Sequence, residues 1–351
     1  MKVGVFFLKK KDIKSYTLEE MEKEFETLKL QKFRAKQVYN WLQSGIEEFS
    51  EMTNISKDLR ERMQEIYEVR KVQIYKKLVS EIDETVKYVF ILSDGELIES
   101  VLMKYRHGYS ICISTQVGCK MKCNFCATGQ AGFFRDLTPS EMLGQIQTAS
   151  KDIGTRISNL VMMGMGEPLD NYENVMRFLQ LAGDEAGLHL GMRHVSLSTC
   201  GIVDKIYAMA DQKLQLTLSV SLHAPNDEIR SRTMPVNNKW NIEALLKACR
   251  YYSDTTKRRI SFEYALIHGI NDSEACAREL AHKLKGILAH VNLIPVNPIE
   301  ETEYKKTSKE VQGKFVSVLE KYGIAATVRR TLGADIEASC GQLRRRYKGR
   351  S

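Results

Sequence analysis

Four of the eight cysteines in this 351-residue chain, Cys112, Cys119, Cys123 and Cys126, fall within fifteen residues. Three of them are spaced C-x3-C-x2-C. Thiolates at that spacing on one tight loop can hold three corners of a [4Fe–4S] cube and leave its fourth iron open. Zinc would need a fourth protein ligand, usually from a second Cys or His pair downstream. No such pair follows: Cys200, Cys249 and Cys276 stand alone and read as small core residues. Further along, Gly164-Met165-Gly166-Glu167-Pro168 reads by itself as a strand-end turn. Cys340 reads by itself as an isolated buried or surface thiol, Glu99 between Ile98 and Ser100 as an exposed strand charge, and His223 as a structural histidine.

The elements that must position these residues change period along the chain. Residues 1–70 read as a small helical, highly charged domain. Thr17 with Glu20 makes a capping box, Val38, Trp41 and Leu42 share one face of a helix that stops at Gly45, and a third helix starts near Ser56. Residues 71–104 read as β-strands with period two, and Asp94-Gly95 is a hairpin turn signal. From 105 to 335, apolar strands at 111–115, 159–164, 194–199, 216–222, 259–267 and 290–296 alternate with helices near 138–152, 172–183, 241–253, 273–285 and 307–321. Six βα repeats predict an α/β fold with a parallel sheet, curved into a full or partial barrel. In such folds the site lies at the C-terminal ends of the strands, which is where the cysteine loop, GMGEP, Ser198, Ser221-Leu222-His223 and Asn297 fall. Residues 336–351 form a last segment carrying Cys340 and a basic tail.

Composition sets the outer bounds. A hydrophobic content of 43% with 27% charged residues excludes a disordered chain, and no apolar run approaches the roughly 20 residues a membrane span needs. The opening MKVGVFFLKKKD lacks a cleavage site, so a cytoplasmic protein with reduced cysteines is expected. The net charge of +8 permits a polyanionic partner, with basic clusters at Lys9–Lys11, Lys257–Arg259, Arg329–Arg330 and Arg344–Arg346.

The cysteine triad, with Phe125 before its last member, resembles the radical S-adenosylmethionine (SAM) superfamily, and GMGEP resembles that superfamily's glycine-rich element. CISTQVGCKMKCNFC, VMMGMGEP, SLHAPND, HVNLIPVNP and ASCGQL, in this order, resemble the RlmN/Cfr family of RNA adenosine methyltransferases from about residue 17 to 344. The resemblance implies a radical-SAM partial (β/α)6 barrel with an N-terminal accessory RNA-binding domain. It implies a [4Fe–4S] cluster on Cys119, Cys123 and Cys126, and SAM contacts from Gly166, Glu167, Ser198, Ser221, Leu222, His223 and Asn297. Cys340 would take a methyl group from one SAM. A second SAM would be cleaved to a radical that removes hydrogen from that methyl, and the resulting methylene would add to adenine. Glu99 would accept the proton of the adenine carbon, and Cys112 would resolve the thioether, leaving a transient Cys112–Cys340 disulfide. Such chemistry suits carbon 2 of adenine, an electron-poor carbon without a nucleophilic lone pair.

The expected partners are 23S rRNA, tRNA and a one-electron reductant such as flavodoxin or ferredoxin, with the enzyme a monomer. Phe33, Tyr39 and Trp41 among basic residues of the accessory domain are read as core rather than as base-stacking groups. Gln116-Val117-Gly118 and Ala224-Pro225-Asn226 favour the carbon-2 branch over a Cfr-type carbon-8 enzyme conferring antibiotic resistance. A non-catalytic, zinc-stabilised RNA-binding protein would leave Cys340 and GMGEP without a role.

Overall fold

The computed structural model describes residues 10–106 and 108–343. Lys9 and the basic tail from Arg344 lie outside the described residues. The N-terminal helices are Leu18–Thr27, Lys32–Gln43 and Lys57–Ile66. The first opens with the expected box: Thr17 Oγ1 accepts from the Glu20 amide at 3.3 Å and Glu20 Oε2 from the Thr17 amide at 3.0 Å. Met21, Phe25, Val38, Tyr39, Leu42 and Met63 form their core. Tyr39 is buried and Trp41 half-buried, whereas Phe33 is exposed beneath the Arg34 guanidinium. Leu181, from a helix of the α/β part, completes this core, so the two parts of the chain share apolar packing.

One ten-stranded sheet organises the rest. Its strands are β1 (Val72–Val79), β2 (Val86–Leu92), β3 (Leu97–Tyr105), β4 (Gly108–Cys112), β5 (Ile157–Met162), β6 (Val195–Thr199), β7 (Thr217–Ser221), β8 (Ile260–Leu266), β9 (Ala289–Pro295) and β10 (Ala325–Val328). They lie in sequence order across the sheet. β1 to β4 pair antiparallel, and β4 to β10 pair parallel. Helices Pro139–Ile153, Tyr172–Gly183, Val203–Asp211, Ile242–Thr256, Glu274–Leu284 and Lys309–Lys321 make the crossovers. The six predicted strands are all present. The hairpin at Asp94-Gly95 brings β2 and β3 together with Ile91 opposite Leu97.

Several short elements escape the sequence reading, among them one crossover helix and the last strand of the sheet. Helix Val203–Asp211 is only nine residues long, and β10 is a four-residue strand with little buried surface. Pairing of His290 to Leu293 with Ala325 to Val328, rather than its own pattern, makes β10 a strand.

The parallel strands alternate in a way that prepares the site. Val195, Leu197, Leu218, Val220, Phe262, Val291 and Leu293 are buried in the main core. Successive side chains of a strand point to opposite faces, so Ser196, Ser198, Ser219, Ser221, Ser261, Glu263 and Asn292 share the other face. There they bond to one another, Ser196 to Ser219 at 3.1 Å and Asn292 Nδ2 to Glu263 Oε2 at 2.7 Å. The sheet thus has an apolar face under the helices and a polar concave one.

Candidate active site

The cysteine loop leaves the sheet after β4 through a tight antiparallel pair, Gln116–Gly118 with Phe133–Asp136. Gly118 has φ +81°, and a Cβ there would stand 1.9 Å from the Gly132 carbonyl oxygen, so only glycine lets the pair close. Within the loop, Cys119 Sγ accepts from the Met121 amide at 3.5 Å. Cys126 begins the short helix Ala127–Gln130, and its sulfur is met by the Thr128 and Gly129 amides. A Cβ on Gly129 would sit 3.0 Å from the Cys123 backbone. Burial pushes all three thiols above their ordinary value, Cys119 up to about 12. Thiolates at these positions therefore need positive charge beside them.

These sulfurs line one cavity at the C-terminal ends of the parallel strands, enclosing about 930 Å³ of empty space that is partly open to solvent. Among the described residues no three His, Cys, Asp or Glu side chains converge on a single metal ion. A cube takes its cysteines at separate corners, so three spaced thiols with donor-lined sulfurs fit a cluster with one open corner. Gly166, Glu167, Ser198, Ser221, His223 and Asn297 line the same cavity, as does Cys340. Leu222 is fully buried and does not line it; its carbonyl instead accepts from Arg230 Nε at 3.1 Å.

GMGEP is shaped as much by its neighbours as by any ligand. A Cβ on Gly164 would meet the Ile113 carbonyl oxygen at 2.5 Å, and one on Gly166, at φ +101°, would meet Gln116 Cβ at 2.6 Å. Glu167 is buried, its Oε2 accepting from the Cys200 amide at 2.7 Å and its Oε1 from the Leu169 amide at 3.0 Å. Burial still raises this carboxyl above the usual range, so a cationic ligand group is the natural complement. His223 stands at φ +55° and its Nδ1 accepts from the Ala265 amide at 2.8 Å, leaving Nε2 as the protonated nitrogen of a neutral ring. Burial, with Arg230 second, holds its pKa down to about 3. The Phe125 ring meets it edge-on at 4.9 Å.

Cys340 arrives from the far end of the chain. Asn297 Nδ2 donates to its carbonyl at 3.0 Å, and the amide of Ala127, just after Cys126, donates to the Gly341 carbonyl at 2.8 Å. Cys112, at the end of β4, does not line the cavity but lies within electrostatic reach of Cys340. Burial first, and the Cys340 charge next, push its thiol up to about 12. Glu99 is 1% exposed and does not line the cavity, and its Oε1 stands 3.0 Å from Lys87 Nζ. The exposed strand charge expected from the sequence is thus a buried ion pair.

The N-terminal residues 11–69 match the family model described as the ribosomal RNA large subunit methyltransferase N-terminal domain, and residues 113–279 match the radical SAM superfamily model. A relative from Thermoanaerobacter sp. (strain X514), "Probable dual-specificity RNA methyltransferase RlmN", is 51% identical over 96% of this chain and 98% of its own length. One of the same name from Alkaliphilus oremlandii (strain OhILAs) is 52% identical over 97% and 99%. The chain belongs to the RlmN family of the radical SAM superfamily. A crystal structure of a radical SAM methyltransferase from Sphaerobacter thermophilus matches with TM-score 0.91 and 40% identity, over 95% of this chain and 99% of that one.

Several residues of this RlmN-family site were not legible in the sequence. Arg230, fully buried, ties the strand-end loops together by donating to the carbonyls of Cys200 at 2.6 Å, Leu222 at 3.1 Å and Ser221 at 3.3 Å, and to Asn237 Oδ1 at 2.9 Å. It lies in DEIRSRT, a short charged stretch with no motif of its own. Cys200 belongs to the main core and also lines the cavity, Cys249 is core, and Cys276 is half-buried at a helix start, packed against the core. Arg329 follows β10 and is kept charged by Cys340 first, then Glu263 and Cys112. The alternation of serine with apolar residues in HVSLST and TLSVS was the available signal for the polar face.

Proposed function

We propose that this chain methylates carbon 2 of adenine in RNA through an S-methyl group on Cys340. Its substrates are an adenosine in the peptidyl-transferase region of 23S rRNA and the adenosine next to the anticodon in tRNA, in the cytoplasm, with the enzyme acting as a monomer. The relatives' name, dual-specificity RNA methyltransferase, supports the two RNA classes. The observation that carries the reading is the meeting of Cys340 with the cysteine triad in one cavity. A methyl carrier must be reached by SAM, and no local feature of residues 336–343 would otherwise bring a thiol there.

Cys119, Cys123 and Cys126 would hold a [4Fe–4S] cluster. When bound and reduced by flavodoxin or ferredoxin, it supplies the one-electron cleavage of a second SAM and hence the hydrogen abstraction from the methyl group. The chain's own residues do the rest. Glu167, stripped of water and wanting a cation, receives the SAM ammonium. Neutral His223, with Nδ1 occupied, has only an N–H to offer, while Ser198 and Ser221 offer hydroxyls. Cys340, its carbonyl fixed by Asn297, displaces the methyl from the first SAM as thiolate. The RNA adduct would give up its unpaired electron to a one-electron acceptor, and Glu99 takes the proton from carbon 2, leaving a closed-shell thioether between Cys340 and the RNA. Cys112 then attacks the Cys340 sulfur: the carbon–sulfur bond breaks, the carbon gains a proton to become the methyl group, and a Cys112–Cys340 disulfide remains.

Peptide mass spectrometry at Cys340 should find an added methyl in protein isolated with its cluster. Cys112→Ala should accumulate RNA joined to the protein. Nucleoside analysis should give 2-methyladenosine; an 8-methyl product would move the chain to carbon-8 chemistry. Undiminished product from Cys340→Ser would overturn the reading altogether.

A further inference from the structure

Glu99 does not line the cavity, and its surroundings are unusual. Lys87 on β2 and Glu99 on β3 lie on the same face of the sheet, one step off the directly paired Val89–Glu99 register. Their side chains are 4% and 1% exposed, and Lys87 Nζ stands 3.0 Å from Glu99 Oε1. The same ammonium donates to the carbonyl of Glu337 at 3.1 Å, three residues before Cys340. The β1–β2 turn fastens that segment as well. Asp335 accepts from Ser80 Oγ at 2.7 Å and from the Glu81 amide at 2.9 Å, and Asp83 accepts from the Gly333 amide at 2.9 Å. Gly333 and Glu337, at φ +59° and +51°, bracket the turn these contacts hold.

A buried ammonium between a carboxylate and a backbone carbonyl costs desolvation that a surface lysine would avoid. An apolar residue of similar length on β2 would pack against the sheet without that cost. What the ammonium adds is a link between two groups that one turnover must use in order: the carbonyl end holds the segment bearing the methyl carrier, and the carboxylate end holds the proton acceptor.

We propose that Lys87 is a positioning residue that couples Glu99 to the Cys340-bearing segment, holding the carboxylate aimed and intact for the step after the RNA adduct forms. The proposal rests on the reading of Glu99 as proton acceptor. Lys87 touches neither RNA nor SAM; it acts through Glu99 and Glu337.

The test separates early from late steps in the full-length holoenzyme. Lys87→Met should still load a methyl on Cys340, read by peptide mass, while RNA covalently joined to the protein accumulates at least about tenfold above wild type, on the scale lost with supporting partners of a general base. Lys87→Arg, which keeps the charge, should restore most of the release. A merely structural role would lower methyl loading and adduct together, and that result would overturn the proposal. If Lys87→Met does not fold, Lys87→Met with Glu99→Gln, which removes both buried charges, supplies the folded control. In that background Lys87→Met should add nothing to the adduct already trapped by Glu99→Gln alone, and a further tenfold loss would overturn the coupling. Glu99→Gln also tells the two readings apart. Normal turnover in that variant sinks the proton-acceptor role itself, whereas trapping by Glu99→Gln with normal release by Lys87→Met sinks only the role of Lys87.

Discussion

Arg230→Met examines whether one buried side chain holds the rim of the site. The guanidinium has no exposed surface and donates to four acceptors on three loops: Cys200, Ser221, Leu222 and Asn237. At about 1 kcal/mol net for each hydrogen bond the loss comes to about 4 kcal/mol. Relief from desolvating the guanidinium returns part of this, and the methionine stem keeps the apolar contacts. A destabilisation of about 3 kcal/mol is expected, seen as a lower denaturant midpoint at unchanged slope. Arg230→Lys should recover less than half, because one ammonium cannot replace a planar fork serving several directions. The effect should reach the ligand. Cys200 gives its carbonyl to Arg230 and its amide to Glu167, so a loosened turn misaligns the carboxylate. Losing one charge-assisted hydrogen bond of about 1.5 kcal/mol weakens SAM binding roughly tenfold, measurable by anaerobic equilibrium dialysis. Midpoints within about 0.5 kcal/mol of wild type, with SAM affinity unchanged, would refute this account of Arg230, since surface substitutions give effects of that size.

Gly164→Ala should destabilise the fold by about 1–3 kcal/mol, because its Cβ meets the Ile113 carbonyl oxygen at 2.5 Å. Gly95→Ala, with nothing within 4 Å, should cost only its left-handed strain, about 1–2 kcal/mol; a larger loss at Gly95 in chemical denaturation would contradict this ordering. His223 binds fewer protons folded than unfolded, so its share of stability is whole above about pH 6.5 and is lost as pH falls toward 3, at up to about 1.4 kcal/mol per unit. His223→Asn, which tolerates the left-handed backbone and can accept from the Ala265 amide, should flatten stability between pH 6.5 and 4. An unchanged slope there would remove His223 as its source. Glu167→Gln should weaken SAM binding about 10–100-fold by removing the charge, yet leave the denaturation midpoint near wild type because a buried charge is also removed. Calorimetric titration with unaltered affinity would exclude Glu167 from ligand binding.

The sequence alone determined what rests on neighbours a few residues apart. The C-x3-C-x2-C spacing, the Thr17–Glu20 box, the Asp94-Gly95 turn and the six apolar strands are short-range patterns, and each has its counterpart in the fold. Hydrogen-bond geometry within one turn or one hairpin leaves them little freedom. The tertiary structure alone decided which distant residues share a space. Cys340 reaches the triad only because β10 extends the sheet edge and the Ser80–Asp83 turn, Asn297 and Ala127 catch the segment after it. Glu99 looks like a surface charge in its own strand and Arg230 sits in a short charged stretch, and both become interior groups because sheet register and loop packing close over them. A charge pattern records what a residue is, whereas burial records what the rest of the chain has placed around it, and no local window contains that.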